Sequence, residues 1–461
     1  MLDEQKQLLD QIIFCFETDD RTALGRLLNE QRSSDIAEIV QLLDNEQRRI
    51  IFDLLQKPVS AEVLEKVDEA TRAELFELLR QDEINSLFSE LDLDDAADLL
   101  AELPEQARQK VLRSLTPDDS AQIMKLMTYS EDSAGGIMDP VLISVPQDAT
   151  VAEAINRIRA AEIDEDFYSI YVVDKTGRFV GDVRIRYLLT SPEETLMIDL
   201  IDPDAIYITA DADQEVVRNI FSKNDLIVAP VLDRNHKLIG RITADRIIEV
   251  AQEEAAEDIY AMAGTDPDEL EDVSVLHAAR VRMTWLLPCL LGTSITALVL
   301  MLFKSHYRIV FVAAAAFAPM IGAISGNAGL QTSAIVVSGL ATGHLAALRL
   351  TQVFTREVRI ALIVAISCGI VGGLICAFLP QLLAGPGEIQ TDLVKHSRVV
   401  FAFGIGMFSA IMVSTTLGLF LPFLFRRIGI DPAISSGPLV TTANDSISVA
   451  IYMTLTLLLA G

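Results

Sequence analysis

Five long stretches without a charged residue, all lying after Arg280, constrain what this chain can fold into more than any other feature. They run 283–303, 309–348, 360–387, 399–425 and 432–461, the last interrupted once, by Asp445. About 20 apolar residues carry a helix across a bilayer, so each stretch predicts one span. The second is long enough for two. Pro319, Gly322, Gly326 and Gly329 punctuate it, and it reads as one long, bent span.

The net charge of −29 divides at the same place. Residues 281–461 hold five acids (Glu357, Glu388, Asp392, Asp431, Asp445) against ten Lys and Arg, a net of +5. Residues 1–280 hold 61 acids and 27 bases, a net of −34. An acidic hydrophilic half joined to an apolar, slightly basic half excludes a purely soluble enzyme and a secreted disulfide scaffold. So negative a surface also repels phosphate backbones, which excludes nucleic acid as a partner and favours cations. Cys15, Cys289, Cys368 and Cys376 have no framework spacing and read as reduced. No nucleophile–base constellation or phosphate-cradling glycine loop stands out, so no enzyme is expected.

The first residues, MLDEQKQLLDQ, carry acids where a secretory signal needs a basic flank, which predicts a cytoplasmic N-terminus. The basic residues agree. Arg280, Arg282, Arg349, Arg356, Arg359, Arg426 and Arg427 then flank the spans inside, against Lys304, Arg308, Lys395 and Arg398 outside. Five spans leave the C-terminus outside a cell membrane.

Asp445 is the one acid deep within an apolar run, where a carboxylate costs roughly 2.5–3.5 kcal/mol to insert. Thr441, Thr442 and Ser448 lie three or four residues away, giving its helix a hydroxyl-lined face. Two readings are open: an acid hydrogen-bonded to those hydroxyls as glue between helices, or an ion site. Asp431, in Asp431-Pro432, is either a helix N-cap or part of such a site. In the second span, Asn327 and Gln331 are four apart, on one helical face.

Residues 1–130 show apolar spacing of three and four throughout. Asp35-Ile-Ala-Glu-Ile-Val-Gln-Leu-Leu returns 60 residues later as Asp95-Ala-Ala-Asp-Leu-Leu-Ala-Glu-Leu, and Val67–Leu79 repeats Leu43–Leu55 at an offset of 24. Stacked short helices, a small solenoid, are expected. A second repeat, at an offset of 59, aligns Val172-Val-Asp-Lys-Thr-Gly-Arg-Phe-Val-Gly181 with Val231-Leu-Asp-Arg-Asn-His-Lys-Leu-Ile-Gly240. Each copy reads as strand, turn, strand, with helices at about 150–160 and 213–222 before them, a paired β-α-β-β-α unit. It resembles the tandem CBS domain, a module that binds adenine nucleotides or metal. An acidic helix follows, with Glu253, Glu254, Glu257 and Asp258 within two turns. Like charges at that spacing oppose the helix by about 0.2–0.5 kcal/mol a pair unless a cation lies between them. All-oxygen ligands suit Mg²⁺, Ca²⁺ or Mn²⁺, and the five His are scattered.

The order of these parts resembles the MgtE family of magnesium channels. Three motifs specify the resemblance: Tyr129-Ser-Glu-Asp-Ser-Ala-Gly-Gly-Ile-Met138, Glu257-Asp258-Ile259, and Asp431-Pro-Ala with Gly437-Pro-Leu-Val and Asp445. It implies a multidomain membrane protein: a helical N-terminal solenoid (1–137), two CBS domains (138–200 and 201–250), an acidic connecting helix (251–280) and a five-helix transmembrane domain (281–461). It implies a homodimer with a pore on the two-fold axis between second and fifth spans, Asp445 facing a hydrated Mg²⁺ with Thr441 and Asn327 beside it. Cytosolic Mg²⁺ would be held by Asp94, Asp95, Asp98, Gly136, Asp213, Glu215, Asp225, Asp245, Glu249, Glu253, Glu254, Glu257, Asp258 and Asp431, closing the channel. ATP is implied at the CBS pair. A carrier coupling Mg²⁺, Co²⁺ or Mn²⁺ to H⁺ or Na⁺ is the alternative.

Two positions depart from the family's pattern. Asp245-Arg246 stands where members have two acids, so a salt bridge is expected to weaken or replace one regulatory metal. Gly329-Leu330-Gln331 stands in place of Gly-Asn-Gln in the second span.

Overall fold

The structure, a computed structural model, describes residues 3–161, 167–202, 204–266, 275–306, 314–342, 345, 350–383, 393–435 and 437–460. Arg308 and Arg349, used above for orientation, lie outside them. The chain forms two compact units, Met1–Gln252 and Glu253–Gly461.

The first unit opens with ten short helices, α1 (Asp3–Glu17) through α10 (Pro117–Leu126). Their starts follow from side-chain caps. Asp20, Asp44, Asp68 and Thr116 each accept a hydrogen bond from a backbone N–H of the first turn, and Asp44 with Gln47 forms a full capping box. None of the ten is long enough to be stable alone; each buries one apolar stripe, such as Ala96, Ala97, Leu99 and Leu100 of α8 (Leu93–Glu102), against its neighbours.

Two three-stranded sheets follow. In the first, β1 (Ser144–Pro146) runs parallel to β2 (Ser169–Val173), and β3 (Phe179–Arg184) antiparallel to β2. The second repeats this with β4 (Ile208–Thr209), β5 (Val228–Leu232) and β6 (Leu238–Thr243). Helices α11 (Val151–Ala160), α12 (Ile185–Thr190) and α13 (Gln214–Asn224) complete the repeat. The second sheet shares one core with the helical region, where Val217, Phe221 and Val231 join Leu100 and Leu126, while the first sheet has its own core around Val145, Ile170 and Val183. The junction between them is the reason. Residues 132–139 are stitched to the second copy, with Ala134 N donating to Ala212 O (2.7 Å), Gly135 N to Ala210 O (2.9 Å) and Asp139 N to Arg241 O (2.9 Å). The Tyr129 ring and the Met138 side chain fill the space that a Cβ would take at Gly135 and Gly240.

Helix α14 (Ala244–Ala263) leaves the first unit and enters the second. It therefore starts earlier than the connecting segment read from sequence and stops sooner. Gly264, at φ +76°, ends it, with Thr265 N donating to Tyr260 O at 3.0 Å. Five helices long and apolar enough to cross a membrane follow: α15 (Val275–His306), α16 (Ala318–Ala341), α17 (Leu350–Leu383), α18 (Leu393–Arg427) and α19 (Pro438–Ala460). The second uncharged stretch thus supplies one span, with Pro319 in its first turn. Small residues set the packing: a Cβ on Gly369 would come within 2.9 Å of Gly404 O, so α17 and α18 touch backbone to backbone there. Leu290, Leu291, Ile363 and Ile370 are exposed on the outside of the bundle, as lipid-facing residues are.

Candidate ion-conduction site

Helix α19 packs against α16 through glycine. Gly322, Gly326 and Gly329, at three- and four-residue spacing, present a surface without side chains. Asp445 lies over it: a Cβ built on Gly322 would stand 3.3 Å from Asp445 Oδ1, and one on Gly326 would stand 3.8 Å from the same oxygen and 3.4 Å from Thr441 Cγ2. The half-buried carboxylate and the Thr441 methyl both lie over this glycine face.

The hydroxyls around Asp445 are engaged elsewhere. Thr441 Oγ1 donates to Gly437 O (3.1 Å), Thr442 Oγ1 to Pro438 O (2.7 Å) and Ser448 Oγ to Asn444 Oδ1 (2.7 Å). Among the described residues, no hydrogen bond or ion pair holds the Asp445 side chain. This corrects the glue reading. In a low-dielectric span, Ser and Thr satisfy their O–H on the carbonyl one turn back, which leaves the acid without those partners.

Asn327 and Gln331 stand on the exposed side of α16 rather than on its glycine face. Asp431 caps the short turn Ala433–Ser435 through Ala433 N at 2.8 Å. That turn leads to Gly437, which leaves room for no side chain because the Met262 carbonyl lies against it. The end of α14 thus abuts the start of the last span.

One acid the sequence reading passed over is buried here. Glu357 of α17 is 3% exposed, and among the described residues nothing pairs with it. Its spacing from Val353, Ala361 and Ala365, all buried, was the available signal.

In the first unit, Asp94 and Asp95 open α8. Burial, then repulsion from Asp95, pushes the Asp94 carboxyl well up, and burial with Glu65 nearby pushes Asp95 up to about 7. Arg246 offsets part of this: its Nη2 donates to Asp98 Oδ2 at 2.7 Å and its Nη1 to Glu249 Oε2 at 3.0 Å. Asp213 caps α13 through Glu215 N at 2.9 Å, Glu215 lies 3.5 Å from Arg218, and Asp225 ends that helix at φ +51°. At Gly136 a Cβ would strike the Ser130 and Glu131 carbonyls. Asp245 and Glu253 are exposed on α14, and Glu254, Glu257 and Asp258 follow on the same helix. Among the described residues, no three Asp, Glu, His or Cys side chains converge as a cage for a metal ion.

The chain's relatives fit this arrangement. Residues 318–455 match the family model described as divalent cation transporter, 31–132 match the MgtE intracellular N domain, and 134–194 and 197–253 match the CBS domain. The chain is 33% identical to the magnesium transporter MgtE of Thermus thermophilus, over 74% of its own length and 72% of that protein. It is 31% identical to the magnesium transporter MgtE of Enterococcus faecalis, over 72% and 70%. A crystal structure of the cytosolic domain of the Mg²⁺ channel MgtE in complex with ATP superposes with a TM-score of 0.50 at 32% identity, covering 52% of this chain and 99% of that one. A multi-pass chain with an intracellular-type helical domain, a CBS pair and a divalent-cation transporter bundle belongs to the MgtE family.

Proposed function

We propose that the protein is a magnesium channel that opens when cytosolic Mg²⁺ falls. The observation behind this reading is the Asp445 carboxylate, without a partner among the described residues, over the Gly322–Gly326 face of the neighbouring span. Mg²⁺ gives up its waters reluctantly and binds through one or two carboxylates and retained water. A carboxylate without protein donors, beside backbone and Thr441, suits a hydrated ion. In this reading two copies assemble about a two-fold axis, so that two Asp445 carboxylates and the exposed Asn327 side chains face one path. The N-terminus is cytoplasmic and the C-terminus outside.

Regulation rests on the acidic residues of the first unit and α14. Their donor chemistry fits a hard divalent cation, and burial disfavours the charged forms of Asp94 and Asp95, which a bound cation would offset. Bound Mg²⁺ would supply positive charge among Asp94, Asp95, Asp98, Asp213, Glu215, Asp225, Asp245, Glu249, Glu253, Glu254, Glu257, Asp258 and Asp431, with Gly136 giving a carbonyl. Movement of α14 reaches the pore helix through Met262 and Gly437. ATP, which the related cytosolic domain binds, is assigned to the CBS pair. A second reading, a carrier coupled to H⁺, is favoured by one observation, the buried Glu357, which nothing pairs with among the described residues.

Flux in liposomes decides. Asp445→Ala should remove Mg²⁺ uptake from a protein that still elutes as the wild type does; uptake at the wild-type rate overturns the pore assignment. Wild-type flux indifferent to imposed pH and Na⁺ gradients selects the channel, and flux that follows them selects the carrier.

A further inference from the structure

Asn444, next to Asp445, sits at the centre of a polar network buried within the bundle. Asn444, Ser325, Ser414 and Ser448 are each 0% exposed. The Asn444 amide nitrogen donates to Ser325 Oγ at 2.9 Å, and its carbonyl oxygen accepts from Ser448 Oγ at 2.7 Å. Ser325 Oγ in turn donates to Ile321 O at 2.7 Å, and Ser414 Oγ of α18 donates to Ser325 O at 2.5 Å. Ser325 Oγ also lies 3.1 Å from Ser448 Oγ, so Asn444 and Ser448 together tie α19 to α16 at a point that α18 also grips.

We propose that Asn444 is a positioning residue: its amide fixes the rotation of the last span, and so sets where the Asp445 carboxylate stands over the glycine face. Consecutive helical residues are about 100° apart, so holding one azimuth determines the next. Both side chains approach the same glycine, since a Cβ on Gly326 would lie 3.6 Å from Asn444 Nδ2 and 3.8 Å from Asp445 Oδ1. Only a side chain that donates and accepts at once completes the network. An ionised aspartate at 444 could only accept, and leucine could do neither, so each removes a partner from this fully buried network.

The consequence is selectivity. Mg²⁺ demands near-ideal octahedral geometry, whereas Ca²⁺ accepts six to eight ligands in flexible arrangements. A carboxylate held at one azimuth favours the first ion, and one free to swing admits the second. This inference rests on Asp445 being the pore acid.

The experiment is Mg²⁺ and Ca²⁺ flux through the full-length protein in liposomes, for wild type, Asn444→Ala, Ser325→Ala, the double variant and Asp445→Ala. Asn444→Ala should lower the Mg²⁺-over-Ca²⁺ flux ratio by about tenfold, the equivalent of one to two buried hydrogen bonds. Ser325→Ala, which removes the amide's acceptor and still folds if Asn444→Ala does not, should lower it in the same direction. The double variant should fall no further than Asn444→Ala, because both act through one contact. Thr456→Val is the control for packing alone: Thr456 is buried farther along the same helix, and its Oγ1 donates to Tyr452 O of that helix at 2.8 Å. It should lower the melting temperature and leave the ratio alone. A wild-type ratio in both Asn444→Ala and Ser325→Ala, with Asp445→Ala silent, overturns the positioning role and leaves the pore assignment standing. Conduction by Asp445→Ala at the wild-type rate overturns both.

Discussion

Arg246 reaches across 148 residues of sequence to place its Nη2 2.7 Å from Asp98 Oδ2, while Nη1 holds Glu249 on its own helix. A cation built into the chain thus joins α8 to the start of α14. The pair is partly exposed, with the Arg246 and Asp98 side chains 24% and 38% accessible, so it contributes at most about 1 kcal/mol. Whether it takes the place of a metal ion is open to a direct test. Arg246→Ala should lower the melting temperature of residues 1–252 by about 2–4 °C in EDTA, and millimolar Mg²⁺ should recover more of it than it adds to wild type. An identical Mg²⁺ response in the two proteins would show that the guanidinium stands in for no ion.

Glu102 gives the helical region a pH dependence with a definite sign. Burial raises its carboxyl to about 7, although Arg72 lies 2.7 Å away and pulls the other way. An unfolded glutamate titrates near 4.3. Between those values the unfolded chain has lost its proton and the folded one has kept it, so unfolding releases a proton and stability falls as pH rises through the window. Asp95, also raised to about 7, adds to the same slope. The melting temperature of residues 1–252 should drop from pH 5 to pH 7, and Glu102→Gln should flatten the curve. A wild-type profile that is level, or that rises, contradicts the assignment.

How much of this was legible beforehand depends on the length scale of the signal. Uncharged runs of 21 to 40 residues and a repeat at an offset of 59 survive any detail of packing, so the five spans and both β-α-β-β-α copies follow from sequence. What did not follow was where single polar groups point. Thr441, Thr442 and Ser448 surround Asp445 on a helical wheel, yet each turns to another acceptor. Asn444 carries no signal of its own in the sequence, because its partner Ser325 lies 119 residues away. Glu357 lies between Arg356 and Arg359 in sequence, and only the packing shows that it is buried.

Glu357 is the buried acid whose removal should help. Among the described residues nothing pairs with Glu357. A buried charge lacking a partner destabilises a protein by several kcal/mol, and an isosteric neutral group removes that penalty. Glu357→Gln should therefore raise the melting temperature of the full-length protein, by about 2 °C or more. Glu357→Lys, which inverts the charge in the same space, should prevent accumulation of folded protein. A loss of several degrees on Glu357→Gln would mean that the carboxylate is satisfied in the assembled protein and needs its charge.

Two glycines separate close approach from mere flexibility. A Cβ on Gly418 would run into Gly329 O and come within 3.2 Å of Gly329 Cα, where α18 crosses α16 with no side chain between them. Backbone cannot swing aside as a side chain can, so Gly418→Ala must part the helices and with them the surface beneath Asp445. Gly25, in the middle of α2 (Arg21–Asn29), has nothing within 4 Å of the space a Cβ would fill. There alanine adds helix propensity and costs no contact, a gain of about 0.5–1 kcal/mol. Gly25→Ala should accordingly raise the melting temperature of residues 1–252, with Mg²⁺ flux through the full-length protein unchanged. Gly418→Ala should lower both the thermal stability of the full-length protein and its flux. Wild-type flux and stability in Gly418→Ala would mean that the α16–α18 contact is looser than its geometry requires.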